Sequence, residues 1–361
     1  MTALPFPRRE LPTPALIVDR AALERNIAAM AGFAAARGIA LRPHAKTHKS
    51  GEIARRQIAA GAVGSCCAKL SEAEALAGDG VGDIHLTSPV VTEEAVGRLA
   101  RLGARIALSV VVDHPDNVAR LAAMGEPLTV FIDVDPGNRR TGVASVEAAV
   151  ALADAVAATA KLRLGGVQYY CGSQQHIGSF AERHAVIAAK TEYLRAVLAA
   201  LKAAGHKVPV VTGGGTGSFA IDAELGVLTE LQVGSYIFMD REYRDCEFAA
   251  SVGFEAALMV DATVVSANAA GLVTIDAGLK AFAADAGVPV VLTGVAGESR
   301  YAFMGDEHGA IFAETLPGLA ARVTLMPPHC DPTVNLYDRY FVVEGETVVD
   351  IWPVTARGCS T

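Results

Sequence analysis

Between about Leu41 and Ile237 one pattern recurs: a short β-prone run ends in polar or glycine-rich residues, and an Ala/Leu-rich helical stretch follows. The runs are Ala40–Ala45, Ala62–Ala68, Asp83–Ser88, Arg105–Val112, Leu128–Val134, Arg163–Tyr170, Val208–Thr212 and Leu231–Ile237. Between them the spacing predicts helices over Glu52–Ala60, Leu70–Ala77, Glu93–Leu102, Pro115–Ala123, Val146–Ala160 and Ser179–Ala204. An eighth would begin near Asp240, where the pattern is poor. Strands that alternate with helices pair in parallel, because each crossover needs a dozen or more residues. Eight such units predict an α/β fold, a (β/α)8 barrel of TIM type. A doubly wound sheet with extra strands is the other arrangement the pattern allows.

Both flanks read differently. Ahead of the first run, Arg20–Arg37 is a helix with Asp19 as its N-cap, preceded by a lone strand at Ala15–Val18. After Phe254 the segments Glu255–Val265, Gly271–Ala277, Val288–Thr293, Arg322–Leu325 and Tyr340–Val343 are β-like with few helices among them, which predicts a second, antiparallel domain. The expected division is a barrel over 16–250 and a β domain of 1–15 with 251–361, and the strand at Ala15–Val18 can join that domain and tie both ends of the chain together. Charged residues are only 19% against 52% hydrophobic, which excludes disorder. No apolar run approaches the ~20 residues of a membrane span. A net charge of −8 without a basic cluster argues against nucleic acid. The opening MTALPFPRRE has no apolar signal core, and the six cysteines form no C-x-x-C pair, so reduced thiols in the cytoplasm are expected.

A barrel carries its site where the strands end. The first run ends in Arg42-Pro43-His44-Ala45-Lys46-Thr47-His48-Lys49, the fifth leads into Gly137-Asn138-Arg139-Arg140-Thr141-Gly142, and the sixth ends in Gln168-Tyr169-Tyr170-Cys171-Gly172 with His176 after it. The seventh ends in Thr212-Gly213-Gly214-Gly215-Thr216-Gly217-Ser218 and the eighth carries Gln232-Val233-Gly234-Ser235-Tyr236. A glycine run before a helix exposes backbone N–H groups to an anion, and Thr212, Thr216 and Ser218 can add hydroxyl donors. With Gly234 and Ser235 beside it, this matches the phosphate site that barrels build after strands seven and eight. A flexible turn is the bland alternative. Lys46 at the first strand end can form a Schiff base, its pKa lowered by desolvation. Lys49, three residues on, should point away into solvent. A Schiff-base lysine and a phosphate cradle together read as pyridoxal phosphate. His44 and His48 suit supporting or phosphate-adjacent roles.

These motifs, with Pro328-His329-Cys330-Asp331-Pro332-Thr333-Val334-Asn335-Leu336-Tyr337-Asp338, resemble the D-threonine aldolase / D-serine dehydratase family over nearly the whole chain. The resemblance implies an alanine-racemase-type barrel with a C-terminal β domain, and a homodimer. It also implies Lys46 as the Schiff-base lysine, Arg140 near the cofactor's phenolic oxygen and Tyr170 against its ring. Thr212, Gly214, Gly215 and Thr216, with Gly234, Ser235 and Tyr236, would hold the phosphate. After Cys66-Cys67 some relatives carry a glutamine that reaches the cofactor. This chain has Ala68, so that contact is absent or made otherwise.

His329 and Asp331, two apart, should face one side of an extended segment with Cys330 opposite. Their N/O pair suits Mn2+ or Mg2+ more than Zn2+. In the family, aldolases resemble this His-x-Asp pattern and dehydratases a softer His-x-Cys. The resemblance also makes His176 the catalytic base, and a metal-bound water is the alternative. The implied reaction is retro-aldol cleavage of a small D-β-hydroxy-α-amino acid such as D-threonine to glycine and an aldehyde. Dehydration of D-serine or 3-hydroxy-D-aspartate is the alternative on this scaffold, and a non-catalytic pyridoxal phosphate-binding protein is the alternative of another class.

Overall fold

The computed structural model describes residues 3–248 and 253–361. Eight parallel strands form one sheet in the order Ala40–Leu41, Glu230–Leu231, Val210–Gly213, Leu162–Tyr169, Leu128–Val134, Ala107–Val112, Asp83–Leu86 and Ser65–Cys67. A parallel bridge between His44 and Cys66 closes the ring. All eight expected runs are strands of this barrel, most of them shorter than expected. The first is trimmed to Ala40–Leu41; Pro43, just beyond, has no N–H to donate to a ladder. Ser235–Ile237, expected as the end of the eighth strand, is a 3-10 turn after Gly234.

Helices pack outside the barrel. Asp19 caps the first, Arg20–Ala35, accepting from the Ala22 amide at 2.9 Å. The helix that follows the glycine run is short, Phe219–Leu225, and the poor pattern near Asp240 is a four-residue helix, Arg241–Arg244. Leu, Ile and Val from strands and helices form one continuous core that runs from the barrel into the second sheet.

The second sheet has ten strands, built around Leu258–Ser266, and takes in both ends of the described chain. Phe6–Pro7 pairs with Thr347–Pro353, and Ala15–Asp19 lies between Leu258–Ser266 and Arg339–Glu344. The sheet is antiparallel except where Ala15–Asp19 runs parallel to Arg339–Glu344. It therefore uses the chain as far as Asp19, so a division after residue 15 falls inside a strand. The division expected at 250/251 lies outside the described residues.

Candidate active site

A cavity of about 260 Å3 opens where the barrel strands end. Lys46, Arg140 and Tyr170 reach its wall, as do Gly214, Gly215, Thr216, Gly234 and Ser235. The Arg140 guanidinium lies over the Tyr170 ring, 5.3 Å from its centroid. The floor is polar. Gln168 donates to Asp133 (2.9 Å), whose second oxygen accepts from Thr141 (2.7 Å), and Gln232 donates to Gln168 (3.2 Å).

Lys46 does not carry the lowered pKa expected of it. Burial works against its charge, but Asp331 outweighs burial and lifts the ammonium above its ordinary value. Asp331 is buried, and Lys46 and His329 hold it ionised below the usual carboxylate range despite that burial. The two side chains form a hydrogen-bonded ion pair. Lys49 is not solvated either: it is buried and paired with Glu72, whose other oxygen accepts from the amides of Ala68 and Lys69. Ala68 itself presents only a methyl group to the cavity. His44 bonds Thr87 at 3.1 Å, and His48 is buried with its Nδ1 accepting from the Ser50 amide.

The glycine run is an internally braced loop more than a free row of donors. The Gly215 amide donates to Ser218 Oγ (3.0 Å) and the Gly217 amide to Gln175 Oε1 (2.9 Å). Ser218, expected to face an anion, donates inward to Asp222 (2.6 Å). Thr212 also turns away, donating to Glu230 (2.8 Å) inside the barrel. Tyr236 is fully buried with its hydroxyl on Gln57 (3.0 Å), and only its amide joins the loop, donating to Thr216 Oγ1 (3.0 Å). Thr216 accepts that bond with its oxygen and keeps its own proton free to donate.

The His-x-Asp motif is not extended. His329 is the N-cap of a short helix, Cys330–Val334, and Asp331 lies in its first turn. Asp240 fixes this turn by accepting from the amides of Cys330 (2.8 Å) and Tyr243 (3.1 Å). His329 Nδ1 bonds Asp285 at 2.7 Å, which leaves Nε2 for another partner. Burial opposes charge on His329, but Asp331 and Asp285 raise its pKa overall. His176 is held 3.4 Å from Glu242, its ring tilted against Tyr243. Burial lowers it to about 4, helped by His329 and Lys46, so at neutral pH it is an uncharged imidazole able to accept a proton.

Two features test whether these residues suit a phosphorylated cofactor. Thr47 borders the cavity, and its buried hydroxyl has no hydrogen-bond partner among the described residues. A side chain at Gly234 would lie 2.6 Å from that hydroxyl, and Gly214 adopts φ +71°. A cradle that only glycine permits, beside an unsatisfied donor and a lysine, suits pyridoxal phosphate. For a cation, no group of three or more His, Cys, Asp or Glu is arranged as ligands among the described residues. The available pair is His329 and Asp331, and Asp285 supports the imidazole as outer carboxylates do at metal sites.

Sequence reasoning missed Thr47, Glu242, Tyr243, Asp285 and the pair Gln175 and Arg183. Gln168 left a signal, as a polar residue near the end of the strand Leu162–Tyr169.

A parallel barrel with a lysine at the first strand end and a glycine cradle after the seventh defines a class. Residues 18–242 match the family "Alanine racemase, N-terminal domain", and residues 257–343 match "Putative serine dehydratase domain". Within that class the chain is 40% identical to a D-threonine aldolase of an Arthrobacter species, over 98% of this chain and 95% of the relative. It is also 40% identical to a 3-hydroxy-D-aspartate aldolase of Paracoccus denitrificans, over 97% and 93%. The crystal structure of a D-threonine aldolase from Filomicrobium marinum covers both chains completely, with 40% identity and a TM-score of 0.96. The chain belongs to the D-threonine aldolase / D-serine dehydratase family of pyridoxal phosphate enzymes, and it is a lyase.

Proposed function

We propose that this lyase cleaves D-threonine and related small D-β-hydroxy-α-amino acids between Cα and Cβ, giving glycine and an aldehyde, with a divalent cation at His329 and Asp331. The observation that carries the reading is Asp331 set against Lys46, which joins the His-x-Asp turn to the cofactor lysine.

Pyridoxal phosphate, when bound, supplies the electron sink that accepts the pair released from the Cα–Cβ bond. The proposed holders are Lys46 at the aldehyde end, Arg140 and Tyr170 about the ring, and Thr216, Gly234 and Ser235 with Thr47 at the phosphate. A cation held by His329 Nε2 and the Asp331 carboxylate would supply positive charge that acidifies a hydroxyl. Mn2+ or Mg2+ suits this oxygen-rich, open pair better than Zn2+. His176, neutral and braced by Glu242, takes the β-hydroxyl proton from the substrate as the Cα–Cβ bond breaks. Tyr170 and Tyr243 wall that side and restrict water.

We further read the enzyme as a cytoplasmic homodimer. Six free cysteines support a reducing compartment, and no helix among the described residues is long and apolar enough to cross a membrane.

The test is metal removal. Holoenzyme treated with a chelator should lose D-threonine cleavage and regain it with Mn2+ or Mg2+. Asp331→Ala should stay inactive with either ion while keeping the cofactor's absorbance. Undiminished cleavage in chelator would refute the cation's role.

A further inference from the structure

His176 is flanked by two residues that are each tied to the glycine loop. Gln175 is fully buried. Its Nε2 donates to Ser218 Oγ (2.9 Å) and to Cys171 O (3.1 Å), and its Oε1 accepts from the Gly217 amide (2.9 Å). On the other side, the carbonyl of Ile177 accepts from Arg183, whose Nε donates to Gly217 O at 2.8 Å. Arg183 is also fully buried, and among the described residues its guanidinium bonds only backbone carbonyls, the third being that of Glu247.

The glycines fit this arrangement. A Cβ at Gly215 would lie 2.6 Å from Gln175 Oε1, and one at Gly217 would lie 2.0 Å from the Gln175 carbonyl. Gly217 is therefore required by the close approach of the Gln175 backbone, and a side chain at Gly215 would displace the Gln175 amide, both independently of any anion in front of the loop. The loop and the segment carrying His176 are packed as one body.

We infer that Gln175 and Arg183 are positioning residues that make the phosphate cradle and the placement of His176 a single rigid unit. Neither is a catalytic residue, since the side-chain donors and acceptors of both are spent on the protein partners just named. Gln175 fixes the residue before the imidazole and Arg183 the carbonyl after it, both against Gly217. A shift of the cradle then moves the base, and a slack base segment loosens the cradle. A general base placed wrongly by about 1 Å loses rate on the order of 100-fold, so the coupling is measurable.

The inference rests on His176 as the base, and the experiment separates the two. Holoenzymes of wild type, Gln175→Ala, Gln175→Glu, Arg183→Lys and His176→Gln are compared by pyridoxal phosphate dissociation constant, read from the absorbance of bound cofactor. Each is then assayed for kcat and KM at saturating cofactor. Gln175→Ala should weaken cofactor binding and lower kcat together, each by about tenfold or more, as loss of a supporting hydrogen bond does. Gln175→Glu keeps the acceptor for Gly217 but loses both donors, and should fall between. Arg183→Lys keeps the charge but loses the fork, and carries the same test if Gln175→Ala does not accumulate. A merely structural role would lower the melting temperature and leave kcat of the loaded enzyme within about twofold, and that result overturns the inference. Should His176→Gln retain full kcat, the base assignment falls; the clamp then stands or falls on cofactor affinity alone.

Discussion

Asp222 is buried behind the glycine loop with the Ser218 hydroxyl as its hydrogen-bond donor. Burial pushes its carboxyl from the ordinary 3.8 up to about 7, with Ser218 pulling partly back. The folded protein therefore holds this proton more tightly than the unfolded chain does. Its stabilising contribution is complete below pH 3.8 and is lost as pH rises through about 7. Asp222→Asn, which stays neutral and keeps an oxygen for Ser218, should melt higher than wild type at pH 8, with a smaller gap at pH 5 that closes only below pH 3.8. Thermal melts at both values check this, and equal gaps would contradict it. His176→Gln should lower kcat by about 10²- to 10⁴-fold, the usual span for a general base, with cofactor absorbance retained. At this scale the sequence was legible where a motif names its own chemistry, as at Lys46 and the glycines. It was not legible where charge depends on a distant partner. Lys46 and Asp331 are 285 positions apart, and only the fold shows that the carboxylate raises the amine's pKa where desolvation alone would lower it.

Elements set those side chains, and their ends were the hardest to read. The helix Phe219–Leu225 has seven residues, too few for a 3.6-residue period to stand out beside the glycines. The two-residue spacing of His329 and Asp331 suits an extended segment, but Asp240 captures the Cys330 amide and a helical turn starts there. Repetition made the barrel strands legible; the strands Ala296–Phe303, Gly309–Thr315 and Thr347–Pro353 had none and were missed. Asn26 shows how an element is held in place. From the helix Arg20–Ala35 it donates to the carbonyls of Ile237 (3.0 Å) and Glu255 (2.8 Å) and accepts from the Glu255 amide (2.8 Å). Asn26→Ala removes the partner of the buried Ile237 carbonyl and of the part-buried Glu255 amide and carbonyl, and should cost about 1–3 kcal/mol, measured by urea unfolding. A loss under about 0.5 kcal/mol would mean that water replaces the amide.

Across the whole molecule, the second sheet serves the site by returning His329 and Asp331 to the barrel mouth, and the chain's start helps to hold that sheet. Arg8 makes a two-bonded pair with Asp261 (2.8 and 2.6 Å), a fully buried carboxylate that Thr324 and Arg322 also contact. Removing Arg8 leaves that charge partly uncompensated. Arg8→Ala should therefore destabilise the fold by up to about 3 kcal/mol, and an unchanged urea midpoint would contradict it. The change of texture after Phe254 made a β-rich second sheet legible, with the strand at Ala15–Val18 a candidate for it, but the bound after residue 15 was not legible, because a five-residue strand fits either sheet. In the proposed reaction these parts together break Cα–Cβ and leave the Cβ–O bond intact. The most direct measurement is product analysis of the holoenzyme with D-threonine and Mn2+ or Mg2+. Glycine and acetaldehyde in equal amounts are predicted; ammonia with a 2-oxo acid would contradict the claim.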